Sequence, residues 1–104
     1  MTRSTAMKKP LVIPLKATAV THYRQRGKAL LRHLRANPWS VAGLEVKRLR
    51  YEYGRFNAVQ LQLRATCRSQ PSALARDAAA AARSVDAVRK ILIAEADRRG
   101  ISIA

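Results

Sequence analysis

No acidic residue occurs in the first 44 positions of this 104-residue chain. Those positions hold nine Lys or Arg, and the remaining 60 add twelve basic residues against six acidic ones, for a net charge of +15. A field of that sign draws polyanions and repels other copies of the chain, so it concerns partners and association rates rather than fold. Cysteine is nearly absent as well. Cys67 alone cannot close an internal disulfide, and with only His22 and His33 beside it there is no four-ligand zinc set. We read Cys67 as a small buried hydrophobe at the end of a strand. Aromatic residues make up 5% of the chain, namely Tyr23, Trp39, Tyr51, Tyr53 and Phe56, so the core must rest on aliphatic side chains and alanine. Long apolar runs are missing too: Arg89 and Lys90 interrupt the best one, residues 85–94, which excludes a hydrophobic membrane span and leaves a soluble or peripheral protein. Gly27, Gly43, Gly54 and Gly100 are isolated, so no glycine-rich phosphate loop exists.

The same scarcity argues against an enzyme. Glu45 and Glu52, seven apart on one expected strand, point to opposite faces and make a poor carboxylate pair. His22 and His33 fall on the polar flank of a helix, with no Ser or Cys nucleophile positioned beside them. No cofactor is implied.

What is present is 48% hydrophobic content, too much for a polycationic disordered tail. The length fits one domain, which we place at residues 10–104, behind a mobile basic arm at 1–9 that carries Lys8 and Lys9. A targeting signal is the competing reading of that arm, weakened by Pro10 and Pro14. Alternation predicts a first strand over about 11–17, with Pro14 as its irregular point. Val20, Tyr23, Gly27, Leu30, Leu31 and Leu34 then form a helical stripe, ended by Asn37-Pro38, and Trp39 is expected as a core anchor at that turn.

Residues 41–53 and 56–67 read as a hairpin around Gly54. In its second arm Val59, Leu61, Leu63, Ala65 and Cys67 face one way while Ala58, Gln60, Gln62, Arg64 and Thr66 face the other. A bulge near Lys47 and Arg48 explains the phase change in the first arm. A helix over 41–53 competes with this, since Ala42, Val46, Leu49 and Tyr53 also fit helical spacing. Ser69 or Ser72 can cap a second helix whose seam is Leu74, Ala78, Ala81 and Val85. Its end is open between two readings: a turn followed by a strand at 88–94, which we favour, or a helix carried through to a Gly100 cap, which would greatly outrun the first. The order strand, helix, strand, strand, helix, strand gives the expected fold: an α+β, ferredoxin-like βαββαβ sandwich, with a four-stranded antiparallel sheet and two helices on one face.

Two families carry resemblances on that pattern. The runs at 27–34, 41–46, 58–65 and 85–88 resemble the ferredoxin-like, ACT-like C-terminal cytoplasmic domain of MgtC/SapB membrane proteins, which implies a regulatory or oligomerisation module acting through protein–protein contacts. Asp86-Ala87-Val88-Arg89 is similar to a segment of ferredoxin-like small-subunit ribosomal proteins, which implies a structural part of a ribonucleoprotein such as the ribosome.

The most specific surface feature is on the first helix, where Arg24, Lys28, Arg32 and Arg35 fall within about an 80° sector beside the apolar stripe. Like charges at three- and four-residue spacing repel, so a helix that keeps four together without an acid is suited to an anionic surface. Lys47, Arg48, Arg50 and Arg55 extend the charge along the expected hairpin, with Lys8 and Lys9 on the arm. Fifteen of the 21 basic residues are Arg, whose planar fork matches phosphate. These residues point to a non-enzymatic nucleic-acid-binding protein that contacts phosphate backbones, RNA ahead of DNA, with protein partners or self-association as further possibilities. Its place would be intracellular, in the cytoplasm or an organellar matrix.

Overall fold

The computed structural model describes residues 12–103 of the chain. Helix α1 spans Ala17–Ala36, the single turn α2 spans Trp39–Ala42, α3 spans Val46–Ser69 and α4 spans Ser72–Arg99. No strand occurs among the described residues.

The three long helices share one pattern of apolar spacing. Val20, Tyr23, Gly27, Leu30 and Leu34 on α1, Leu49, Tyr53, Phe56, Gln60, Leu63 and Cys67 on α3, and Ala78, Ala81, Val85, Val88 and Leu92 on α4 recur every three or four residues and turn one stripe of each helix inward. Helix α4 is the centre and packs along both α1 and α3. Val20, Leu63, Ala78, Ala81, Ala82 and Val85 form one cluster, and Leu34, Val41, Leu49, Val88, Leu92 and Ala96 form the other. This pairing fixes direction: α1 runs parallel to α4, and α3 runs antiparallel to both.

Small residues bring α1 close to α4. A Cβ on Gly27 would lie 3.2 Å from the Ser84 Cβ, tighter than most side chains allow, and in ordinary contact with Val85 Cγ2 at 3.5 Å, so glycine suits the spacing at this crossing. The result is thin. The Cα extents are 49 × 36 × 16 Å and the radius of gyration is 15.6 Å, against about 13 Å for a compact domain of 100 residues.

The ferredoxin-like sandwich is therefore not the fold of this chain, and the fold implied by both family resemblances falls with it. Residues 41–67, expected as a hairpin, are mostly one helix. The test case is Gln60 and Leu61. A strand would bury Leu61 and expose Gln60, whereas Leu61 is 49% exposed and Gln60 only 4%. The Gln60 amide, oriented by its neighbours, donates to the Ala82 carbonyl at 2.9 Å and accepts from Arg64 at 3.1 Å, which satisfies it between two helices. The expected bulge at Lys47 and Arg48 was a helical period seen through a strand template. The expected last strand is the second half of α4, and Gly100 ends that helix with φ 71°, as the helical alternative required. Neither Ser69 nor Ser72 caps α4; Pro71 holds the N-cap position, and the Ser69 hydroxyl donates to the Ala65 carbonyl at 2.9 Å.

Residues 12–16, the described part of the expected first strand, have no regular secondary structure and pair with no strand among the described residues. They are tied to α3 instead. The Leu15 N–H donates to Thr66 Oγ1 at 2.8 Å, and that fully buried hydroxyl donates onward to the Gln62 carbonyl at 2.8 Å. Trp39 is 67% exposed and is no core anchor. Cys67 is half-buried on α3, its thiol facing the Ala75 carbonyl at 3.5 Å, rather than at the end of a strand. The helix predicted after Val20 is present.

Gly54 provides a check on the helical assignment. It lies inside α3, exposed, and a methyl group at its Cα would meet nothing within 4 Å. Gly54→Ala should therefore raise stability by about 0.5–1 kcal/mol, seen as a thermal midpoint higher by about 2–8 °C. At a hairpin turn needing positive φ the same change would lower it.

Candidate nucleic-acid interface

The cationic stripe of α1 borders a trough rather than a flat surface. Arg24, Lys28, Arg32 and Arg35, at spacings of four, four and three, project from one flank of α1, and Arg83 projects from α4 opposite them. The trough encloses about 780 Å³. Its floor is Leu31, Ala80 and Ser84, and the small α4 residues create the depression, because long guanidinium side chains overhang positions that carry almost no side chain.

Acid supply decides the electrostatics. Glu52 pairs with Arg48 at 2.7 Å and lies 3.8 Å from Arg55; Asp86 binds Arg89 at 2.8 Å and Lys90 at 3.3 Å; Glu95 holds Arg98 and Arg99. These carboxylates serve the framework. Hydrogen bonds from Arg98 and Arg99 hold the Glu95 carboxyl down at about 2, and Arg99 also donates to the Val41 and Ala42 carbonyls at 3.1 and 3.0 Å, fastening α2 to the end of α4. Arg89 lowers the Asp86 carboxyl below its ordinary range and reaches Tyr53 Oη at 3.3 Å and Asn57 Oδ1 at 3.4 Å, linking α4 to α3. At the trough only Asp77 is near, 2.7 Å from Arg24, in a pair roughly half exposed on both sides and so worth little. Lys28, Arg32, Arg35 and Arg83 have no carboxylate within 4 Å among the described residues. Five cations against one carboxylate leave four uncompensated positive charges around one concavity.

The remaining expected contacts separate from this site. Arg48 and Arg55 line a different groove, between α1 and α3. The Arg50 guanidinium donates to the Ser102 carbonyl at 3.1 and 3.2 Å and fastens the segment after α4. Lys47 is exposed and borders neither concavity. Lys8 and Lys9, with the arm at 1–9, lie outside the described residues. His22 and His33 are exposed on α1. Sequence reasoning missed Arg83 and Arg26. Arg83 follows five alanines and precedes Ser84, but its meeting with the α1 stripe depends on the register of two helices more than 40 residues apart, for which periodicity carries no signal.

Among the described residues no group of three or more His, Cys, Asp or Glu could hold a metal ion, and no helix is long and apolar enough to cross a membrane. No protein-family model, curated protein or solved structure matches this chain.

Proposed function

We propose that the protein binds nucleic acid non-enzymatically through its phosphate backbone, with Arg24, Lys28, Arg32, Arg35 and Arg83 as the contacting residues. The observation that carries this reading is the trough itself: five long cationic side chains from two helices converge on one concavity, and a single carboxylate, Asp77, pairs with one of them. Four are Arg, which can grip phosphate oxygens in a bidentate manner. Among the residues lining the trough there is no aromatic ring on which a base could stack and no Asn or Gln to read adenine, and its cations are spaced along a helix as backbone phosphates would need.

A fluorescence-anisotropy titration with labelled duplex DNA and labelled RNA, repeated across salt concentrations, tests this. Four to five phosphate contacts release about as many counterions, so duplex affinity should fall by about two to three orders of magnitude between ~50 and ~200 mM monovalent salt. Comparing the two probes determines whether RNA is preferred. Absence of salt-sensitive binding to either would remove the proposal.

A further inference from the structure

The expected sequence of cations along one surface is divided by the fold into two sets, and the second set has a concavity of its own. A groove of about 540 Å³ runs between α1 and α3, with Val88 and Leu92 of α4 beneath it. Arg26 stands on its α1 rim, and Arg48 and Arg55 stand on its α3 rim. The two α3 arginines share one carboxylate, Glu52, and Arg26 has none within 4 Å among the described residues. The rims therefore keep two uncompensated positive charges.

This groove and the trough face away from each other. At 100° per residue, Arg26 is about 160° around α1 from Lys28, and His33 is about 160° from Arg35. Both concavities border the same helix, on opposite sides of the stripe that packs against α4.

We infer that the groove is a second and weaker phosphate-backbone site, so that one molecule bridges two nucleic-acid segments, one held by the trough and one by the Arg26, Arg48 and Arg55 rims. Charge complementarity selects this occupant. A second copy of the chain, at +15, is repelled, and residues 1–11 bring Arg3, Lys8 and Lys9 rather than acids. The inference rests on the backbone-binding reading of the trough, and it adds an order of events. With fewer uncompensated charges, the groove should release its segment at lower salt than the trough does.

A two-duplex capture assay separates the possibilities. One duplex is immobilised, the protein is added, and retention of a second, labelled duplex is measured, while anisotropy reports binding to a single duplex. The wild-type protein should retain the second duplex at low salt and lose it before single-duplex binding is lost. Arg26→Glu combined with Arg55→Glu, both at exposed positions, should leave single-duplex affinity within about twofold and reduce retention by about tenfold or more, with an unchanged helical circular-dichroism spectrum. Single-duplex binding without retention in the wild type overturns the bridging inference and leaves the trough reading standing. Retention that survives in the folded double variant overturns the groove assignment. Absence of any duplex binding overturns both.

Discussion

Arg32→Glu combined with Arg35→Glu is expected to weaken nucleic-acid binding by about 10- to 100-fold at low salt and to flatten its salt dependence. Both residues are exposed on α1 and make no ion pair among the described residues, so replacing them removes like-charge repulsion and disturbs no packing. The substitutions take two cations from the trough and add two carboxylates, which with Asp77 bring its local charge from four positive to about zero. For duplex DNA the slope of log affinity against log salt should fall from about −4.5 toward about −2.7, which is the loss of two counterions. Lys47→Glu provides the control. It alters net charge by the same amount per residue but lies away from the trough, and it should change affinity by less than about threefold. A Lys47→Glu loss equal, in logarithm, to half that of the double variant would show that total charge alone governs binding.

The second large effect concerns the framework. Leu63→Ala should destabilise the protein by about 3 kcal/mol and lower its thermal midpoint by about 12–24 °C. Leu63 is fully buried where α3 meets the alanine-rich half of α4, among Ala78, Ala81 and Ala82, which are too small to swing into the space left behind. The cavity would persist, and a single domain of this size has only about 5–15 kcal/mol in total. Leu61→Ala, two positions before it, supplies the comparison. Leu61 is half exposed, and its replacement should cost less than about 1 kcal/mol. Denaturation followed at the helical circular-dichroism minimum measures both. A strand through residues 56–67 would place Leu61 and Leu63 on the same face and make the two losses similar.

That comparison marks where the sequence misled. The 59–67 segment alternates well enough to be a strand, yet Leu49, Tyr53, Phe56, Gln60, Leu63 and Cys67 satisfy three- and four-residue spacing over a longer window, with Gln60 at a core position. A polar residue at a core position hides a helical stripe, and its tolerance depends on the Ala82 carbonyl, a partner from another helix. For α4, Ile91-Leu92-Ile93 favoured a strand by residue type, but Val88, Leu92 and Ala96 extend the seam of Ala78, Ala81 and Val85 without a break, and Gly100 ends it. Burial along a continuous stripe outweighed the weak β preference of three residues. Half-buried Cys67 was misplaced for the same reason, since it lies on a helix and not at a strand end; Trp39 does follow the turn at Asn37-Pro38 but is exposed instead of anchoring the core.

The helical stripe of α1 and the cationic sector beside it depend only on the order of residues along one helix, so Arg24, Lys28, Arg32 and Arg35 could be placed together from sequence. The charge balance and the single cysteine were equally readable, because composition does not depend on folding. Which helices pair, and in which register, depends on contacts between residues far apart in the chain. Gly27 against Ser84 brings α1 to α4 and places Arg83 opposite the α1 cations. The antiparallel course of α3 beside α4 sets Arg48 and Arg55, with the Glu52 they share, across a separate groove from Arg26. The acid-free stretch before Glu45 thus contains a basic helix whose charge is legible residue by residue, while its division between two opposite faces is set by the two helices packed on α4.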